Sequence, residues 1–436
     1  MVTFILGGTQ SDFARHLGRE GRELGDLAAE LIDGALADAA IEPADVGVIH
    51  VGNAFGELFA GQAHLGALPA TARPALWGVP AARHEAACAS GSIAVLAAMA
   101  ELEAGRYDVA LVLGLEQERN VPGDQAARFL GAAAWVGHEG EGARYLWPHM
   151  FSRIGDAYDE RWGLDRRHLA AIARKNLGNA RQNPRAQTRN WTIGDATFAE
   201  DDAQNPVIEG RLRRADCAQV TDGGAAIVLA SERYAAGWAR ARDRSLARTA
   251  RLLGWGHRTA GLGLAAKLER AAPGGLLFPH VAAAFADACR RAGAALPVGP
   301  RTAAGAAGAA AATSATAAGT ASAASITING LEVHDCFTTT EYMAIDHVGL
   351  TPPGQSWRAI EDGVTERGGA LPMNPSGGLI GGGHPVGATG IRMVLDAALQ
   401  VTGRAGDYQI EGARTFGTLN LGGSAATVVS FVVGAA

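Results

Sequence analysis

The same short phrase, a Gly-Gly turn running into an apolar strand, occurs twice, once near the middle of the chain and once at its end. Thr221-Asp222-Gly223-Gly224-Ala225-Ala226-Ile227-Val228-Leu229-Ala230-Ser231 aligns without gaps on Asn420-Leu421-Gly422-Gly423-Ser424-Ala425-Ala426-Thr427-Val428-Val429-Ser430. The offset of 199 residues is close to half of the 436-residue chain. Four identities in eleven are little by themselves. Their place at the end of each half points to a duplicated unit, with halves expected over 1–245 and 246–436.

The first unit alternates strand and helix. Leu24, Leu27, Ala28, Leu31, Ile32, Ala35, Leu36 and Ala39 recur at helical spacing. Pro43 stops that helix, and Val46–Gly52 follows as a short strand. Arg83 to Cys88 leads into a helix over about 90–104, then Gly105 and the strand Val109–Leu113. Such alternation predicts an α/β fold with mostly parallel strands. Residues 115–200, rich in Arg, Trp, Asn and His with little periodicity, read as an inserted loop region of the kind that covers a substrate site. Residues 302–325 use almost only Ala, Gly, Ser and Thr and read as a surface loop.

Composition removes several functions. A formal charge of −6 without a basic run speaks against nucleic acid. No stretch reaches 18 apolar residues of membrane character, so no membrane span is expected. The start has no basic n-region, the end has no targeting tripeptide, and the cysteines at 88, 217, 289 and 336 are far apart. These features predict a reducing cytoplasm, with no disulfide framework and no metal site; Cys217 and Cys289 read as structural.

Three segments can carry chemistry. Cys88, in Glu85-Ala86-Ala87-Cys88-Ala89-Ser90-Gly91, stands where a strand turns into a helix. A helix N-terminus lowers a thiol pKa and favours a nucleophilic thiolate. His384 sits in a glycine-dense loop, Gly377-Gly378-Leu379-Ile380-Gly381-Gly382-Gly383-His384-Pro385-Val386-Gly387-Ala388-Thr389-Gly390, that feeds another helix. It lacks both the P-loop Lys-Ser/Thr and the GxGxxG spacing. His334-Asp335-Cys336-Phe337 follows a strand, so that His334 and Cys336 can face one way.

Together these segments resemble the thiolase superfamily along nearly the whole chain. Glu85–Gly91 is similar to its nucleophile motif, and Gly383–Gly390 to GHPxGxTG. His334–Phe337 is similar to the HDCF signature of the sterol carrier protein X-type branch. The C-terminal Cys-x-Gly of biosynthetic thiolases reads Asn420-Leu421-Gly422 here, so its cysteine is missing while the HDCF cysteine is present. The resemblance implies two βαβαβαββ halves, each with a five-stranded sheet, in α/β/α/β/α layers plus a loop domain. It implies coenzyme A thioesters as substrates, no other cofactor, and a homodimer or homotetramer.

It also implies site roles. Cys88 is the acyl-accepting nucleophile, His384 its base, and His334 with His384 the stabilisers of the thioester or enolate oxygen. Cys336 moves the α-carbon proton, and the N–H groups of Cys88 and Gly422 form an oxyanion hole. Gly383 and Asn420 depart from the family pattern beside the substrate and are expected to bind it. The function implied is a thiolase-type acyltransferase forming or cleaving 3-ketoacyl-CoA. Alternatives are a β-ketoacyl-synthase-like C-acyltransferase, or a thiolase-like subunit that works only with a small acyl-CoA-binding partner.

Overall fold

The computed structural model describes residues 2–243, 245–297 and 326–436. The 302–325 tract lies outside the described residues.

Nine strands form one sheet: β1 (Thr3–Gln10), β2 (Val48–Gly52), β3 (Ala81–His84), β4 (Val109–Glu116), β5 (Gly223–Ser231), β6 (Ala250–Thr259), β7 (Leu331–Val333), β8 (Thr415–Gly422) and β9 (Thr427–Ala435). Their spatial order is β7-β8-β9-β6-β1-β5-β4-β2-β3. Outward from the centre, β1-β5-β4-β2 pair antiparallel, antiparallel, parallel, and so do β6-β9-β8-β7. The two series meet where Thr3–Ile5 pairs with Leu252–Ala250. Two five-stranded sheets were expected; instead the halves are hydrogen-bonded into one sheet. Among the described residues the second half contributes four strands to this sheet, and Leu331 of its edge strand also bridges Met373 in parallel.

The repeated phrase lies on equivalent strands but is offset. In β5, Gly223 stands opposite Glu116 and opens the strand. In the second half Gly422 ends β8, and Thr427 is the residue opposite it that opens β9. A tight hairpin there replaces the long excursion between β4 and β5, so a gap-free alignment misses the register.

The helices that position the site are α1 (Leu24–Ala39), α2 (Ser90–Glu103), α3 (Leu146–Trp162), α4 (Arg166–Ala180), α5 (Pro279–Ala292), α6 (Thr338–His347) and α7 (Thr389–Val401). Helices α2 and α7 form the middle layer. Ala94, Val95, Ala98, Ile391, Val394 and Leu395 pack between Val112 and Ile227 of one half and Phe416 and Phe431 of the other. The stripe read from the sequence, Leu27 to Ala39, covers the outer face of the first half. Helix α5 and its neighbours cover the outer face of the second. The layers are therefore α/β/α/β/α. Among the described residues no helix is long and apolar enough to cross a membrane.

The stretch 115–200 is not a loop region. It holds α3 and α4, whose Met150, Phe151, Ile154, Tyr158, Leu169 and Ile172 are buried against the second half. Interleaved Arg, Asp and Trp hide that helical period, and Asp165 caps α4 by accepting from the Arg167 N–H (2.9 Å).

Glycine allows the middle layer to close. A Cβ on Gly91 would lie 2.8 Å from the Gly387 carbonyl oxygen and 3.0 Å from the Ile391 nitrogen. One on Gly114 would meet the same carbonyl at 2.7 Å. Backbone of α2 thereby touches backbone leading into α7, with no side chain between. Gly91→Ala should cost about 1–3 kcal/mol through overpacking. The check is a lower urea midpoint at unchanged slope; an unchanged midpoint would contradict the contact.

Candidate active site

Cys88 leaves β3 on a tight turn. Ala87 takes a positive φ of 50°, a strained conformation for a residue with a Cβ. Ser90 holds it: its hydroxyl accepts from the Ala86 N–H (2.9 Å) and donates to the Ala87 carbonyl (2.6 Å). The thiol faces a cavity of about 410 Å³ shared with Cys336, His384, Glu118 and Gly423. Most of the remaining wall is apolar. It includes Leu146, Trp147 and Phe151 of α3, so the segment 115–200 does cover the site.

His384 comes from the loop before α7. Its N–H donates to Thr221 Oγ1 (2.8 Å), and its Nδ1 lies 2.7 Å from Thr389 Oγ1. The Thr389 hydroxyl donates to the Pro385 carbonyl (3.1 Å). A hydroxyl has one hydrogen, so Thr389 accepts from Nδ1–H and Nε2 is left as a bare acceptor. His334 is held in the opposite sense. Ser92 Oγ donates to Asn420 Oδ1 (2.8 Å), and Asn420 Nδ2 donates to His334 Nδ1 (3.1 Å). The His334 proton is therefore on Nε2, a buried atom with no partner.

The two rings meet edge to face at 5.3 Å. One ligand-type atom from each of Cys88, His334 and His384 lies within 4.8 Å of the others. These atoms are compact enough to hold a cation together; they are also a thiol beside an acceptor and a donor.

Asp335 points away from this cluster. It accepts from the Leu379 N–H (2.6 Å) and from Asn176 Nδ2 of α4 (2.7 Å). Lys175 and Glu341 form a buried ion pair beside it. With Asp335 anchored outward, Cys336 on the next position faces the cavity, as the alternation predicts. Its sulfur lies 3.8 Å from Thr340 Oγ1.

The electrostatics overturn one expectation. The helix N-terminus was expected to lower the Cys88 pKa; burial instead pushes it up to about 12, with Glu118 adding to the rise. The N–H groups of Gly423 and of Cys88 itself pull against it. Burial likewise lowers His384 to about 3, assisted by the Arg392 charge. His334 is lowered well below the usual histidine range by burial and then by His384. Cys336 is raised well above the usual thiol range, first by burial and then by Cys88. The resting site is neutral.

Three placements differ from expectation. The backbone N–H that reaches Cys88 from the β8–β9 hairpin is that of Gly423, not Gly422. Gly422 packs one residue deeper, where a Cβ would lie 2.2 Å from the Ala86 carbonyl oxygen. Asn420 and Gly383 do not line the cavity. Asn420 holds His334, and Gly383, at φ +110°, packs beside Gln187, Phe13 and Thr221. Sequence reasoning missed Ser92, Thr389 and Glu118. The first two were findable, one helical turn from Cys88 and from Pro385; nothing in the chain marks Glu118.

The thiolase N-terminal domain model matches residues 4–233, and the thiolase C-terminal domain-like model matches residues 301–435. An acetyl-CoA acetyltransferase of Methanothermobacter thermautotrophicus is 28% identical over 403 residues, 92% of each chain. Sterol carrier protein 2 of Homo sapiens is 28% identical over 439 residues, covering 98% of this chain and 71% of that protein. Among solved structures, an Ltp2-ChsH2(DUF35) aldolase matches the whole chain with a TM-score of 0.74 at 22% identity, over 98% of that chain. An acetyl-CoA acetyltransferase from Syntrophomonas wolfei gives 0.66 at 17%, again over the whole chain and 99% of that chain; both support the fold.

A thiol at pKa about 12 predicts a flat response to pH. The difference in thiolate ultraviolet absorbance between the wild type and Cys88→Ala should not change from about pH 6 to about pH 9, then rise at higher pH. A step near neutrality would contradict the neutral resting thiol.

Proposed function

The chain belongs to the thiolase family, and from that premise we propose that it forms or cleaves 3-ketoacyl-CoA through an acyl-enzyme on Cys88. The observation that carries this reading is the opposed pair of imidazoles, a bare Nε2 on His384 and a protonated Nε2 on His334, beside one thiol. A thiol at a high pKa stores no thiolate, so the attack needs a base at hand. His384 takes the thiol proton as sulfur bonds to the acyl carbon.

In thiolysis the Cys88 sulfur adds to the 3-keto carbon, and the oxyanion is held by the N–H groups of Cys88 and Gly423. Gly423 takes the place first given to Gly422. The carbon–carbon bond then breaks, its electron pair passing to the departing acetyl-CoA enolate. His334 Nε2–H stabilises that enolate oxygen, and Cys336 supplies the proton to its carbon. His384 hands the proton it took from Cys88 to the Cys336 thiolate. Coenzyme A thiol then gives its own proton to His384 as its sulfur displaces the acyl group, and His384 returns that proton to the departing Cys88 thiolate. Condensation is the reverse sequence. Gly383 and Asn420 act behind the wall as positioning residues for His384 and His334. No cofactor beyond the coenzyme A thioester takes part in these steps.

The division into 1–245 and 246–436 is supported by the matching strand order on either side of the β1–β6 pair. Four free cysteines support a cytoplasmic location. A homodimer or homotetramer is the family expectation. A small acyl-CoA-binding partner is supported by one structural neighbour, which is an Ltp2-ChsH2(DUF35) aldolase.

Intact-mass measurement after acetyl-CoA addition tests the nucleophile: one acetyl group on the wild type, none on Cys88→Ala. Cys336→Ala should still be acetylated while CoA-dependent loss of acetoacetyl-CoA falls by about 10²–10⁴. His384→Ala should slow both steps. Acetylation without thiolysis in the wild type would remove the thiolase reading; acetylation only after a partner is added would support the complex.

A further inference from the structure

Two buried carboxyls flank the Pro385–Gly387 loop, and they are treated very differently. Glu116 is fully supplied with donors: Oε1 accepts from the N–H groups of Ala54 (2.5 Å) and Gly387 (3.1 Å), and Oε2 from Asn53 Nδ2 (2.9 Å). Glu118 is equally buried, at 1% exposure. Its Oε1 accepts a long bond from the Val386 N–H (3.3 Å), the Thr221 N–H also acts on the carboxyl, and its Oε2 has no hydrogen-bond partner. Its backbone is not free to move: the N–H groups of Glu118 and Arg119 both donate to Asp222 Oδ1 (2.8 Å each).

Other buried side-chain atoms also lack partners, among them Arg166 Nε, Asn176 Oδ1 and Arg392 Nη2. His334 Nε2 is unpartnered as well and lies beside Cys88, but the acyl-enzyme reading already gives it the enolate oxygen. Among the described residues, Glu118 Oε2 is the unpartnered buried atom on the cavity wall to which that reading gives no role. The terminal carboxyl torsion of glutamate is soft, so either oxygen can turn inward. A buried polar atom left unpaired is costly, and the bound acyl group is what can pair it.

We propose that Glu118 is a specificity-determining residue that recognises a hydroxyl on the acyl group, close to the carbonyl transferred to Cys88. A hydroxyl suits the site because it both donates and accepts, so it pairs with the carboxyl in either protonation state. A cationic substituent fits less well, since Phe55, Ala87, Val220 and Val386 nearby supply nothing to replace its hydration. Glu118 faces Glu116, Asp222, Cys88 and the neutral His384, and its own pKa is raised by burial and by Glu116.

The inference rests on the acyl-enzyme reading, and the test separates the two. Acylation rates of Cys88 are measured by intact mass with butyryl-CoA and with its 2-, 3- and 4-hydroxy isomers, for the wild type, Glu118→Gln and Glu118→Leu. In the wild type at least one hydroxy isomer should react about 10-fold faster than butyryl-CoA or more. Glu118→Leu should abolish that ratio while still reacting with butyryl-CoA, and Glu118→Gln should keep part of it. Equal rates for all four thioesters in the wild type would overturn the proposal, and so would a preference that survives in Glu118→Leu. If Glu118→Leu does not fold, a full preference in Glu118→Ala overturns it and a lost preference supports it. No acylation of the wild type by these four or by acetyl-CoA would overturn the acyl-enzyme reading and this inference with it.

Discussion

Backbone pressed against backbone between α2 and α7 is the contact on which the site depends. Gly52, Gly91, Gly114 and Gly387 leave no room for side chains where the helices begin. The two helices come from different halves of the chain, and each carries a functional segment on the turn before it. Cys88 precedes α2 and His384 precedes α7. Bringing the helix starts within van der Waals contact therefore brings a thiol to an imidazole without any loop reaching out. The sheet halves clamp this pair from both sides, so its geometry is set by the rigid core.

Around that contact the polar groups are arranged to assign protons. Thr389 and Asn420 contact the same ring nitrogen of their respective histidines, Nδ1, but one accepts and the other donates. The rings are thus held in opposite tautomers. Burial keeps both neutral, so the distinction between acceptor and donor persists at neutral pH. A charged imidazolium would have lost it, because both of its nitrogens donate.

Much of this was legible in the chain. The Leu27–Ala39 stripe, the strand–Cys–helix turn and the His334/Cys336 alternation each depend on neighbours within a few residues. What failed to be legible depended on distant partners. Helices α3 and α4 bury their apolar faces against the second half, so their sequence shows mixed polarity. The pKa direction of Cys88 was wrong because the local helix end is outweighed by burial beside Phe55 and Val386 and by Glu118. Gly422 was preferred to Gly423 because a hairpin turn decides which N–H faces inward.

The sequence by itself determined the duplicated α/β plan, the segments whose thiols and imidazoles meet beside one cavity, and the glycine positions that let backbones touch. Periodicity, turn residues and chemical type are local properties, and a linear chain displays them. Only the tertiary structure decided which nitrogen of each histidine carries the proton and that Asn420 serves a ring instead of a ligand. It also decided that one of two neighbouring glutamates is left with an unpaired oxygen on the cavity wall. Those outcomes follow from hydrogen bonds between residues such as His334 and Asn420, or Glu118 and Val386, which lie 86 and 268 positions apart. They exist only once the chain has folded, and the second only once the halves have closed on each other.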